Sequence, residues 1–207
     1  MTGEKIISQS TLDKLKSLSN TLREIVSECY PKTLTEESSF QKRFLAKAKE
    51  NGFCITDEVG TPVLTTPKTK SISPLPEEFW KLDFVMRIDN AYIPIELKLR
   101  HKQQDIRKYP QDFIDDADKI RRLLINYDDV PEAFAICLTN LSEMVEGCDK
   151  KVKEYNDANK TNVDINWTAI PNTHYSIGIV DRVQKKERQP KEKCFVFKNN
   201  EKKKELE

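Results

Sequence analysis

Apolar side chains recur at Leu12, Leu15, Leu18, Leu22, Ile25 and Val26, a spacing that predicts a helix over residues 7–27. Pro31 ends it, and Thr35 is the cap of a second helix that runs to about residue 51, with Gly52 as its stop. Phe40, Phe44, Leu45 and Ala48 form the buried stripe of that second helix. Residues 53–56 read as a short strand. Residues 58–78 set Pro62, Pro67, Pro74 and Pro76 among Thr, Ser and Lys, which predicts a long exposed loop.

Residues 79–88 and 91–100 read as two strands joined by a tight turn at Asp89–Asn90. With that two-residue turn Ile88 pairs with Ala91, and Asp83 lies across from Glu96. Side chains alternate with period two, so Lys98 shares the face of both acids. A turn at Asn90–Ala91 would set Asp83 opposite Lys98 and keep the same three residues together. An odd-length loop without a bulge would separate them. Leu82, Phe84, Met86 and Ile88, with Ile93, Ile95, Leu97 and Leu99, form the expected core face, although Val85 makes the polar face imperfect.

Beyond the hairpin, a polar connector over 101–109 leads to a helix over 111–127 that carries Phe113, Ile114, Ala117, Ile120, Leu123 and Leu124. Residues 133–138 are continuously apolar and predict a buried strand. Residues 141–156 read as a polar helix, and 165–170, 175–183 and 194–198 as further strands, the last two flanking a basic loop. The order predicts an α/β fold, a mixed central sheet flanked by helices. Its division is an N-terminal helical extension (1–31), one main domain (32–200) and a charged tail (201–207).

Composition removes several classes of function. No apolar run approaches the roughly 20 residues that span a bilayer, and the N-terminus lacks the apolar core of a signal peptide, so the expected compartment is the cytoplasm. The cysteines, Cys29, Cys54, Cys137, Cys148 and Cys194, are odd in number and form no CxxC pair, which signals neither a disulfide framework nor a zinc site. Cys54 and Cys137 lie in strand-like runs, where cysteine serves as a small hydrophobe. With no P-loop, no dinucleotide fingerprint and only 5 glycines, nucleotide-triphosphate chemistry is disfavoured. His101 and His174 stand isolated, and Trp80 and Trp167 adjoin strand patterns as core residues. Net charge is only +1, but basic residues cluster at 98–102 and 182–193, and phosphate binding needs a local positive surface rather than a high global charge.

Two carboxylates opposed across strands repel. A lysine offsets part of that, and a divalent cation between them would offset far more. Hard cations take oxygen ligands, commonly one or two carboxylates plus substrate phosphates, and a neighbouring lysine can orient the attacking water. These are the requirements of phosphodiester hydrolysis.

The segment LDFVMRIDNAYIPIELKLR resembles the core motif of the PD-(D/E)XK nuclease superfamily, an Asp on one strand followed by Glu-x-Lys on the next. Asp83 matches the first acid, Glu96 the second and Lys98 the lysine, with Leu97 between; Leu82 stands where the motif has proline. The resemblance covers about residues 35–140. It implies a restriction-endonuclease-like core and a Mg²⁺ site at Asp83, Glu96 and Leu97 in which Mn²⁺ can substitute. It also implies a further acid on the preceding helix, and helical phase selects Glu37, which points along the buried stripe, over Glu36 at its edge. The D/E-x-K pattern recurs at 149–151 and 201–203, but only Glu96–Lys98 sits in a strand opposite an acid. Lys102 and Gln104 are candidate phosphate contacts, with a solvated connector as the alternative reading of that segment, and Lys185, Lys186 and Arg188 are expected DNA contacts. The expected function is a metal-dependent DNA endonuclease of restriction or phage-defence type, acting as a homodimer. The alternatives are a repair, recombination or mobile-element nuclease, and a non-catalytic nucleic-acid-binding module that keeps the fold.

Overall fold

The computed structural model describes residues 7–30, 36–62, 79–101, 108–127, 129–159 and 161–180. In chain order they form α1 (Gln9–Lys16), α2 (Leu18–Glu28), α3 (Glu37–Glu50), β1 (Cys54–Pro62), β2 (Phe79–Ile88), β3 (Ala91–Arg100), α4 (Tyr109–Asn126), β4 (Phe134–Thr139), α5 (Ser142–Asn159), β5 (Asn166–Ala169) and β6 (Ser176–Val180). The described strands make one sheet in the order β1-β2-β3-β4-β6-β5. β3 and β4 run parallel, with α4 as their crossover, and the other neighbours are antiparallel. The fold is mixed α/β with helices on both faces of the sheet, as the periodicities predict.

One face is covered by α1, α2 and α3, whose Leu18, Leu22, Phe40 and Phe44 pack against Phe84, Ile95, Ile136 and Ile179. The other is covered by α4 and α5, whose Phe113, Ile120, Met144 and Cys148 pack against Val85, Ala135, Cys137 and Val180. Every residue of β4 is therefore buried, with its larger side chains towards the first face and Ala135 and Cys137 towards the second. The helices of residues 9–28 thus share a core with the strands.

Several boundaries depart from expectation. The helix read over 7–27 is two helices meeting at Ser17, whose hydroxyl donates to the Lys14 carbonyl at 3.4 Å, a local side-chain bond that competes with the helical ladder. Leu12, expected on the buried stripe, is exposed. Glu36 is the N-cap of α3, and Thr35 and Pro31 lie outside the described residues. β1 runs to Pro62, so 58–62, read as the start of a loop, is strand. Pairing with β2 overrides the local Gly60 and Pro62 signals, and among the described strands β1 lies at the edge of the sheet, where proline is tolerated. Cys54, read as a small hydrophobe, is exposed at the start of β1, whereas Cys137 is buried. The expected strand 194–198, the end of the strand 175–183 and the tail lie outside the described residues.

α1 also fastens the hairpin. Thr11 donates to Asp89 Oδ2 at 2.9 Å, and the Lys14 ammonium lies 2.9 Å from the same carboxylate. Asp89 occupies the left-handed region at φ 53°, a conformation that Asp tolerates in turns.

Candidate functional site

The hairpin register is the expected one, from Ile88↔Ala91 to Phe84↔Ile95. There the β2–β3 ladder ends, while β3 continues beside β4 as far as Arg100↔Thr139. The β2-facing edge of β3 thus carries backbone groups that need other partners. Leu97 N–H donates to Asp83 Oδ2 at 2.8 Å and Leu99 N–H to Glu37 Oε2 at 3.1 Å. Gln41 Nε2 donates to the Leu97 carbonyl at 3.4 Å. Asp83 from β2 and Glu37 from α3 are held here because this opened edge demands acceptors.

This corrects the uniform hairpin read from the sequence. Asp83 is not a ladder partner of Glu96; its carboxylate turns along the sheet towards the Leu97 amide. The β1–β2 register stays the same on either side of Asp83, from Asp57↔Phe84 to Val59↔Leu82. Leu82 does not share the core face of Phe84 and Met86: it packs with Val59 in the α4–α5 cluster. With both faces of the sheet covered, an apolar residue on either side of Asp83 finds a core.

The side chains of Glu96, Lys98 and Arg100 face α4, and the helix answers each of them one turn apart. Lys119 Nζ lies 2.6 Å from Glu96 Oε1, and Lys98 Nζ lies 3.2 Å from Asp116 Oδ2. Arg100 approaches Asp112 at 3.8 Å and stacks over the Tyr109 ring. Lys119 also reaches Asp116 Oδ1 at 3.3 Å, and Lys98 lies 3.9 Å from Glu37 Oε1. Glu37 additionally binds Arg100 through a short contact to Nη1. The structure therefore brings together Asp83, Glu96, Lys98 and Glu37, and adds Asp116 and Lys119. The added pair was legible in part. Asp116 follows Phe113 by three residues and precedes Ile120 by four, so it lies on the inward face of a helix, the same phase argument that selects Glu37.

Burial sets the electrostatics. Glu96 is 2% exposed. Its desolvation, with the neighbouring charges of Asp116 and Asp83, pushes its carboxyl well above the usual range against the opposing pull of Lys119. For Lys98, burial is the largest single influence and acts downward, but Asp116, Glu37, Asp83 and Glu96 together outweigh it and raise its ammonium. Lys119 behaves likewise, with burial opposed by Glu96 and Asp116.

The acids Glu37, Asp83, Glu96 and Asp116 face the cations Lys98, Lys119 and Arg100 in this cluster. Among the described residues no three acid, cysteine or histidine side chains converge to enclose a metal. Each carboxylate is instead turned to an ammonium, a guanidinium or a backbone amide. The donor chemistry still suits a hard cation, which needs only one or two carboxylates when water and substrate supply the rest. Glu96 and Asp83 are the carboxylates available for this, with Leu97 between their points of attachment. Lys102, Gln104, Lys185, Lys186 and Arg188 lie outside the described residues.

Comparison with family models, curated proteins and solved structures found no match to this chain. No helix among the described residues is long and apolar enough to cross a membrane.

Proposed function

We propose that this chain is a Mg²⁺-dependent DNA endonuclease of restriction or phage-defence type, with Asp83, Glu96, Lys98 and Glu37 at its centre. The observation that carries the reading is the meeting of Asp83, Glu96 and Lys98 where β2 leaves β3, with an inward acid from the preceding helix on the same strand edge. A fold that only needed a stable sheet would continue the ladder there, rather than open it and meet the free amides with carboxylates.

In this reading Asp83 and Glu96 hold the divalent cation, with Leu97 beside them. When bound, Mg²⁺ supplies charge neutralisation at phosphorus, and Mn²⁺ can replace it. Lys98 keeps its ammonium beside the acids, where it orients the attacking water and stabilises charge that grows on the phosphate. Glu37 holds Arg100 and the Leu99 amide, fixing the strand that presents Glu96 and Lys98. Lys102, Gln104, Lys185, Lys186 and Arg188 contact the DNA, two copies of the chain present two centres to the two strands, and the enzyme works in the cytoplasm.

One observation favours a second reading, a non-catalytic nucleic-acid-binding module: Glu96 already carries the Lys119 ammonium at 2.6 Å. Plasmid nicking with and without Mg²⁺ separates the two. Metal-dependent cleavage that Lys98→Ala abolishes supports the nuclease. DNA binding with no cleavage at any metal concentration supports the module.

A further inference from the structure

The Lys119 ammonium sits among three oxygens: Glu96 Oε1 at 2.6 Å, the Lys81 carbonyl at 3.1 Å and Asp116 Oδ1 at 3.3 Å. An ammonium has three donors and no acceptor, so this cradle matches it donor for donor. Its walls come from separate elements, Lys81 from β2, Glu96 from β3 and Asp116 from α4. The site is partly closed to water, with the Lys119 side chain 18% exposed and Glu96 2%.

Glu96 Oε1 cannot carry an ammonium at 2.6 Å and a metal ion together, because like charges at contact repel strongly where water is scarce. The lysine has somewhere to go. It hangs on a flexible four-carbon stem whose charged end can reach solvent while the stem stays on the protein.

We propose that Lys119 is a tethered counter-ion that fills the Glu96–Asp116–Lys81 cradle in the metal-free protein and gives up Glu96 when the divalent cation binds at Asp83 and Glu96. The proposal rests on reading Asp83, Glu96 and Lys98 as a metal-dependent centre. Lys119 is then a positioning residue: it holds β2, β3 and α4 together around a buried carboxylate until the metal takes over, and it sets a threshold on metal affinity.

The test is Mn²⁺ binding to the whole chain, followed by the loss of the free-ion electron paramagnetic resonance signal. Lys119→Met should tighten binding by about tenfold, the change expected from no longer breaking one charge-assisted hydrogen bond. Arg122→Gln removes the same charge one turn along α4, where Arg122 pairs with Asp118 at 2.6 Å, and should change affinity by no more than about twofold. In the wild-type protein, reductive methylation read by mass spectrometry should find Lys119 protected without metal and modified with it. Equal or weaker Mn²⁺ binding by Lys119→Met, or an equal gain from Arg122→Gln, overturns the proposal. Unchanged Lys119 labelling in a protein that does bind Mn²⁺ overturns it too, and decides the matter if Lys119→Met fails to fold. If neither wild type nor variant binds Mn²⁺, the metal-dependent reading itself falls, and the displacement with it.

Discussion

Asp83 does two things that substitution can separate. Its Oδ2 accepts the Leu97 amide at 2.8 Å, and in the proposed function its charge helps to hold the metal. Asp83→Ala removes both and leaves the amide of Leu97, a residue 0% exposed, without its acceptor. An orphaned buried donor costs about 1–3 kcal/mol. At about 2–4 °C per kcal/mol for a chain of this size, the melting temperature should fall by roughly 2–12 °C in chelator. The lower part of that range is expected, since the same change relieves the repulsion that Asp83 exerts on Glu96. Asp83→Asn keeps an oxygen for the amide and loses the charge, so its metal-free melting temperature should stay within about 2–4 °C of wild type, a change of about 1 kcal/mol. Metal separates the roles further. At ten times its dissociation constant Mg²⁺ stabilises the wild type by about 1.4 kcal/mol, or roughly 3–6 °C. Both variants should lose that shift. The assay is thermal unfolding in chelator and across a Mg²⁺ series. A wild-type metal shift that survives in Asp83→Asn would refute the assignment of Asp83 to the metal. An Asp83→Ala protein as stable as wild type in chelator would refute the amide argument.

Lys98→Ala should abolish cleavage and leave most of the metal-dependent stability shift intact, because the lysine acts mainly in the transition state while the acids hold the ion in the ground state too; nicking and melting on one preparation check this, and full activity in the variant sinks the mechanism. The raised carboxyl of Glu96, caused by burial and by Asp116 and Asp83, favours its protonated form in the folded protein. That stabilising contribution is complete below the ordinary value of 4.5 and is lost as pH rises through the higher folded value, so metal-free wild type should lose stability over that window relative to Glu96→Gln. Melting curves from acid to neutral pH in chelator test it, and parallel curves for the two proteins would contradict it. On the far side of α4, Tyr155 shares Asp118 with Arg121 and Arg122, so Tyr155→Phe should lower stability by about 0.5–1.5 kcal/mol with no effect on metal binding. Burial and the Asp118 carboxylate push the Tyr155 phenol up to about 12, and an absorbance titration that finds all tyrosines near 10 would count against that network.

Local pattern determined much of this protein. The Asp89–Asn90 turn fixed the hairpin register, because a two-residue loop leaves little freedom in pairing and a one-residue slip would turn a core face to the wrong side. Helical phase found Glu37, since an acid on an apolar stripe must meet a partner, and the Leu99 amide and Arg100 are that partner. The alternation of Ile93, Ile95, Leu97 and Leu99 with Glu96, Lys98 and Arg100 placed the charged set on one side of β3. Other features depend on contacts between segments distant in sequence, which periodicity does not carry. The extension of β1 to Pro62 follows from its pairing with β2, and the rotation of Leu82 to the α4 side follows from a second core that only the crossover helix creates. The opening of the ladder after Phe84↔Ile95, which gives Asp83 its amide, is decided by how β2 leaves β3 to stay with β1. Asp116 and Lys119 became part of the site because the parallel β3–β4 pairing forces α4 across the face that carries Glu96 and Lys98, and a helix turn happens to match two residues of strand there. Sequence thus set which residues each element offers and on which side, because side-chain direction follows from backbone period alone. Tertiary structure decided which of those sides meet, because burial of a carboxylate and the identity of its partner belong to the packing and not to the strand.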